Sequence, residues 1–245
     1  MHKRAFERTD STDSILGDPL PDKDISVKDE LVRKGIHLAS LSIPVVYYFI
    51  PRQTTLEFLV PFLIFSVFVD VGRHYMPWLK RIVNKVFFRL LRPHERDDSK
   101  MLLSGATYVL ISAALCVFIF PKLITVTAFS ILIISDASSA IFGKMWGKHP
   151  FLDKSREGTM AFVVTAWIVV ALAPKAVGTG VEYAIGAIAA VAGAVVEAAS
   201  VRLRFDDNLS VPISVGFTMW GLYYLLDRVD PMHFHSLWLA LMNFT

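Results

Sequence analysis

The chain has 245 residues, 54% of them hydrophobic and 19% charged, with a net charge of +3 and a mean hydropathy of +0.49. That is too apolar for an ordinary soluble domain, and a bilayer is its natural solvent. The charge implies no nucleic-acid surface, and a single cysteine, Cys116 inside an apolar run, excludes a disulfide framework and a thiolate metal site.

From Met1 to about Lys28 the chain is polar and carries Pro19 and Pro21. It lacks the apolar stretch of a cleaved signal peptide and reads as a disordered cytoplasmic tail over 1–28. Residues 29–245 show no internal repeat and read as one membrane-embedded domain. Apolar stretches near the length of about 20 residues that a spanning helix needs lie at about 31–50, 54–72, 101–120, 122–143, 160–176, 180–200 and 209–227. The expected fold is all-α, a polytopic bundle of about seven transmembrane helices. The last segment, from His233 to Thr245, is too short to span and is expected to lie at the interface.

Lys and Arg crowd alternate linkers. Residues 73–100 hold Arg73, Lys80, Arg81, Lys85, Arg89, Arg92, Arg96 and Lys100, the linker after the fourth span holds Lys144, Lys148, Lys154 and Arg156, and the next but one holds Arg202 and Arg204. The intervening linkers carry only Arg52, Lys122 and Lys175. The positive-inside rule then puts the N-terminus and the basic linkers in the cytoplasm, with an odd number of spans leaving the C-terminus outside. Within the first basic linker, Trp78, Leu79, Ile82, Val83, Val86, Phe87, Leu90 and Leu91 recur at helical spacing among cations. This predicts an amphipathic helix on the cytoplasmic face, laid either on anionic headgroups or on the protein's own inner surface.

Ionisable groups at the ends of membrane helices are costly and mark candidate functional positions. Arg33 and His37, four apart, share a face of the first helix, and with Lys34 they are candidates for holding substrate; the plain reading is two positive-inside anchors and a packed histidine. Asp136, Ala140, Gly143 and Gly147 share a face, a carboxylate above a strip with almost no side chain. Either a bulky ligand lies there or two helices pack closely through small residues, which leaves Asp136 unexplained. Lys154-Ser155-Arg156-Glu157-Gly158-Thr159 then offers cations, a glycine for close backbone approach, and Ser155 or Thr159 as a helix cap, the parts of a phosphate-binding helix start, although not a Walker A loop. Gly186, Gly193, Glu197 and Ser200 form a second small-residue face ending in a carboxylate, and Asp206-Asp207-Asn208 opens the last span, with Asn208 where an N-cap belongs. Asp136, Glu197 and Asp207 supply oxygen ligands of the kind Mg²⁺ takes together with substrate phosphates.

These segments, in this order, resemble the polyprenol kinase family, the CTP-dependent lipid kinases that include dolichol kinase, phytol kinase and the yeast-type diacylglycerol kinase. The likeness runs over most of residues 29–228. It rests on Arg33-Lys34 to His37, Arg92-Pro93-His94-Glu95 to Leu103-Ser104-Gly105-Ala106-Thr107-Tyr108, Asp136-Ala137-Ser138-Ser139 to Gly143 and Gly147, Lys154 to Thr159, and Glu197-Ala198 to Asp207-Asn208-Leu209 with Pro212. The chain departs from the pattern in the doubled Asp206-Asp207 and in having one lysine, Lys154, where dolichol kinases tend to have adjacent basic residues.

The resemblance implies an integral membrane enzyme that moves the γ-phosphoryl group of CTP, with Mg²⁺, to a long-chain alcohol such as a polyprenol, dolichol, phytol or diacylglycerol. It implies a nucleotide site over Asp136 to Thr159, using Asp136, Gly143, Gly147, Lys154, Glu157 and Gly158; the helix-start residues Ser155 and Thr159 join these as nucleotide-binding candidates, and the charge pattern puts the site at the cytoplasmic face. Of the residues read above, His37, Asp136 and Glu197 are the catalytic candidates, with Asp136, Glu197 and Asp207 the metal candidates. Two other readings use the same residues. A phosphatidate cytidylyltransferase would share nucleotide, metal and membrane but release pyrophosphate, and a transporter would place Asp136 and Glu197 near the midplane rather than at one membrane face.

Overall fold

The structure is a computed structural model that describes residues 35, 37–87, 103–203 and 205–243. It is a helical bundle: α1 (Ser42–Phe49), α2 (Arg52–Tyr75), α3 (Pro77–Phe87), α4 (Gly105–Ile119), α5 (Lys122–Trp146), a hairpin of β1 (Pro150–Phe151) and β2 (Lys154–Ser155), α6 (Arg156–Leu172), α7 (Gly180–Ala198), α8 (Ser200–Leu203), α9 (Asp207–Val229) and α10 (Pro231–Asn243). The expected tail at 1–28, Arg33, Lys34, the stretch Arg92-Pro93-His94-Glu95 and Arg204 lie outside the described residues.

Each expected span contains a helix, but they are not equal. By length and composition α2, α5, α7 and α9 are able to cross a membrane. The helices at the other three positions have 8, 15 and 17 residues, short of the roughly 20 that a bilayer core asks for. The chain is therefore a membrane protein with four helices of spanning length among the described residues.

Local chemistry sets the helix ends. Pro51 and Pro121 take extended conformations with ψ of 151° and 149° immediately before α2 and α5, as residues that have no N–H to give and cannot continue a preceding helix. Thr179 and Glu182 close a capping box at the start of α7. The few cations of the poor linkers also have local work. Arg52 donates from Nε to the Val117 carbonyl at 2.6 Å and from Nη2 to the Phe120 carbonyl at 2.8 Å, Lys122 donates to the Ile50 carbonyl at 3.1 Å, and Lys175 donates to the Val170 and Ala173 carbonyls at 2.5 and 2.6 Å. Each satisfies carbonyls that the end of α4, α1 or α6 leaves over, where a cation also meets the negative end of the helix dipole.

Within the 18-residue apolar window of α5, 72% is buried, against 22% for α2. α5 is thus the central helix, packed by α1, α4, α6 and α9, while α2 lies at the periphery against α4. α3 presents Leu79 and Val83 to Val69 and Met76, so that Leu79 and Val83 rest on the protein itself. Trp78 and Ile82 stay exposed beside Arg81 and Lys85. The C-terminal segment is the helix α10, which buries Leu237 and Leu241 against the core instead of spanning.

Short connections turn α4 into α5, α5 into α6, α6 into α7 and α7 into α9, and the Ser104 N–H at the start of α4 donates to Asp70 Oδ2 near the end of α2 at 2.7 Å. The ends of α2, α5 and α7 and the starts of α4, α6 and α9 therefore share one end of the bundle, and that end carries the candidate residues.

Candidate functional site

The site is organised where α5 and α6 cross. Ser155 caps α6, its hydroxyl accepting from the Gly158 N–H at 3.1 Å, which is the capping role expected of Ser155 or Thr159. A Cβ placed on Gly143 would lie 3.1 Å from Ser155 Oγ and 3.5 Å from Gly158 Cα. One on Gly158 would lie 3.0 Å from the Ser139 carbonyl oxygen and 3.2 Å from Gly143 Cα, and one on Gly147 2.8 Å from Ser155 Oγ. The small-residue strip is therefore in contact with the start of α6. Close helix packing accounts for the spacing of Gly143, Gly147 and Gly158.

That crossing brings charges together. Lys154, in the hairpin strand just before α6, sets its ammonium 3.0 Å from Glu197 Oε1 and 3.7 Å from Asp207 Oδ2. Ser139, one turn beyond Asp136 on α5, donates to the same Glu197 Oε1 at 3.1 Å. Glu197 ends α7 and its side chain is 1% exposed, whereas that of Lys154 is 30% exposed at the rim. Burial acts to lower the Lys154 pKa, but the carboxylates of Glu197, Asp207 and Asp136 outweigh it and hold the ammonium above its ordinary range. His37 Nε2 lies 3.6 Å from Asp136 Oδ2. His37, Asp136, Lys154, Glu197 and Asp207 thus come from five separate segments to one end of the bundle.

The three carboxylates have the oxygen chemistry that Mg²⁺ prefers, but they do not form a cage. Among the described residues no three of His, Cys, Asp and Glu converge to hold a metal ion. Glu197 and Asp207 instead share the Lys154 ammonium, and Asp136 adjoins His37. What fits is an ion held mainly by substrate phosphates with one or two carboxylates. Glu197 Oε2 is buried without a hydrogen bond and is an acceptor suited to that.

Glu157 closes the loop ahead of α6: its Oε1 lies 2.6 Å from His149 Nδ1, and its Oε2 accepts from the Lys148 and His149 N–H groups at 3.2 and 3.4 Å. The contact with His149 and these backbone donors hold its carboxyl down at about 2. Thr159 Oγ1 is buried near the start of α6 without a hydrogen bond. One reading needs correcting: Asp206, not Asn208, caps α9, its carboxylate accepting from the Asn208 N–H at 3.0 Å and from Asn208 Nδ2 at 2.7 Å. The cap moved by two residues because aspartate caps as well as asparagine does, and the doubled aspartates divide the work, with Asp207 turned to Lys154.

Sequence reasoning missed Ser139 as a partner of Glu197, and missed Asp153 and Arg202. Asp153 in the hairpin turn pairs with Arg202 of α8, Nε to Oδ1 at 2.9 Å. An acidic residue beside Lys154 and a basic one shortly after Glu197 were the only available signals.

No family model and no solved structure matches the chain. It is 30% identical to the protein of Rickettsia prowazekii (strain Madrid E) described as "Uncharacterized protein RP860", over 197 residues that make up 80% of this chain and 96% of the rickettsial one.

Proposed function

We propose that this chain, which belongs to the same family as the rickettsial protein, is a CTP-dependent kinase that phosphorylates the hydroxyl of a long-chain membrane alcohol. The observation that carries the reading is the Lys154 ammonium between Glu197 and Asp207, at the same end of the helix bundle as the His37–Asp136 pair. A cation there suits the triphosphate of a nucleotide, and an imidazole backed by a carboxylate suits an alcohol that must be oriented and must lose a proton. The acceptor oxygen attacks the γ-phosphorus, CDP leaves, and the hydroxyl proton passes to His37. Mg²⁺ arriving with the nucleotide would be held by Asp136 and Glu197 and would neutralise phosphate charge. The order of motifs resembling the polyprenol kinases supports the same reading.

In this proposal the site faces the cytoplasm and the chain crosses the membrane seven times, the three shorter helices spanning with their flanking residues. The basic linkers at the site end support that orientation. In cells carrying a variant without Cys116, a Ser155→Cys thiol should resist a membrane-impermeant reagent added from outside, and labelling from outside would reverse the orientation.

Purified protein in detergent, given γ-labelled CTP or ATP and phytol, dolichol, farnesol or diacylglycerol, should carry label into the lipid phase with CTP as donor. With phosphatidate supplied as acceptor instead, label released only as pyrophosphate would move the assignment to a cytidylyltransferase.

A further inference from the structure

We infer that Arg202, acting through Asp153, is the positioning residue that holds Lys154 against Glu197 and Asp207. The inference deepens the reading of the site given above and uses residues to which that reading gives no role.

Lys154 is presented by a hairpin whose strands have two residues each, Pro150 pairing with Ser155 and Phe151 with Lys154. A ladder this short does not hold its own shape. Its turn also contains Leu152 at φ +52°, a left-handed conformation that a residue with a Cβ adopts only where its surroundings impose it. Something outside the hairpin must therefore fix the turn.

The external hold is the segment that follows Glu197. The Asp153 N–H donates to the Ala198 carbonyl at 2.9 Å. The Asp153 carboxylate receives the Arg202 backbone N–H on Oδ2 and Arg202 Nε on Oδ1, both at 2.9 Å, and Arg202 Nη2 donates to the Leu152 carbonyl at 3.3 Å. One side chain thus grips both turn residues while its own backbone completes the pair. A lone ion pair as exposed as Arg202, at 62%, contributes little. Here both carboxylate oxygens are engaged and two backbone groups join in, which fixes geometry as well as charge.

The consequence is one of reference. Glu197 receives the Lys154 ammonium, and the residues just after it, Ala198 and Arg202, hold the residues just before Lys154. Cation and carboxylate are thereby registered to the same helix end, so that small movements of the hairpin do not change their distance. Removing the brace frees the turn, and Lys154 then samples water.

The test follows the amine itself in the full-length protein. In detergent, acetylation of Lys154 by a limiting amine-selective reagent is timed by mass spectrometry, with exposed Lys85 on α3 as the internal standard. Arg202→Ala should speed acetylation of Lys154 by roughly tenfold, the scale of a lost charge-assisted hydrogen bond, and leave Lys85 unchanged. Asp153→Asn should do the same, the double variant should add little to either single change, and Arg202→Lys should restore part of the protection. An unchanged Lys154 rate in Arg202→Ala overturns the inference. So does an equal rise at Lys154 and Lys85, which would mean general loosening. The readout needs no turnover, so absence of lipid phosphorylation would remove the proposed function and leave the brace to be judged by labelling alone. Where turnover is present, Arg202→Ala should lower it more than the conservative Arg202→Lys does.

Discussion

Lys154 and Glu197 form the pair on which the site turns: an ammonium 3.0 Å from a carboxylate whose side chain is 1% exposed, with Asp207 on the ammonium's other side. Removing Lys154 leaves the Glu197 carboxyl buried without its cation. Breaking a fully buried pair costs about 3–5 kcal/mol, and the partial exposure of Lys154 reduces that to about 2 kcal/mol. Lys154→Met should lower the thermal midpoint in detergent, followed by tryptophan fluorescence, and Lys154→Met combined with Glu197→Gln should recover part of the loss. A single variant as stable as the parent would show that the pair is not formed.

Gly143 and Gly158 form the close approach of α5 to α6. Gly143→Leu should push the helices apart at a cost of about 1–3 kcal/mol or more, as overpacked interiors do. The expected result is a smaller monodisperse fraction by size-exclusion chromatography, with nucleotide affinity unchanged in the protein that survives. Full yield with lost nucleotide affinity would return the strip to a ligand-binding role.

Asp136 and His37 are 3.6 Å apart, and the proposed kinase uses them together. His37→Ala should lower turnover by roughly 10²-fold or more, the span of a lost acid–base group, with little change in CTP binding. Asp136→Asn should abolish transfer in a protein that still folds and inserts. Activity of His37→Ala equal to the parent between pH 6 and 8 would make His37 a packing residue.

Glu157 carries a pH dependence with a definite sign. Its carboxyl is lowered from 4.5 to about 2, first by its contact with His149 and then by backbone donors. A group depressed by folding gives its full stabilisation above the ordinary value and loses it as pH falls toward the folded one. The loop at Lys148 and His149 should therefore loosen between about pH 4.5 and 2. Amide exchange at those two residues, corrected for the intrinsic rate, should rise over that window in the parent. In Glu157→Gln it should be raised already at neutral pH and show no such step.

Much of this protein is legible in one dimension. Membrane class and helix positions follow from runs of apolar residues, because transfer free energy adds along the chain and needs no knowledge of neighbours. The cap at Ser155 and the breaks at Pro51 and Pro121 are equally local, since each involves backbone groups within a few residues. Asp136, Lys154, Glu197 and Asp207 could be singled out one by one, because a charge at the end of an apolar helix stands out against its surroundings. Their partners could not. Whether Asp207 faces a metal or an ammonium, whether Gly143 opens a groove or admits a helix, and whether Arg52 marks a membrane side or caps α4 depend on the rotation and depth at which antiparallel helices settle. Those are fixed by interdigitation of side chains from distant segments. The sequence determined which residues had to be explained, and only the packing of α5 against α6, α7 and α9 decided that Lys154 would be the cation Glu197 and Asp207 share.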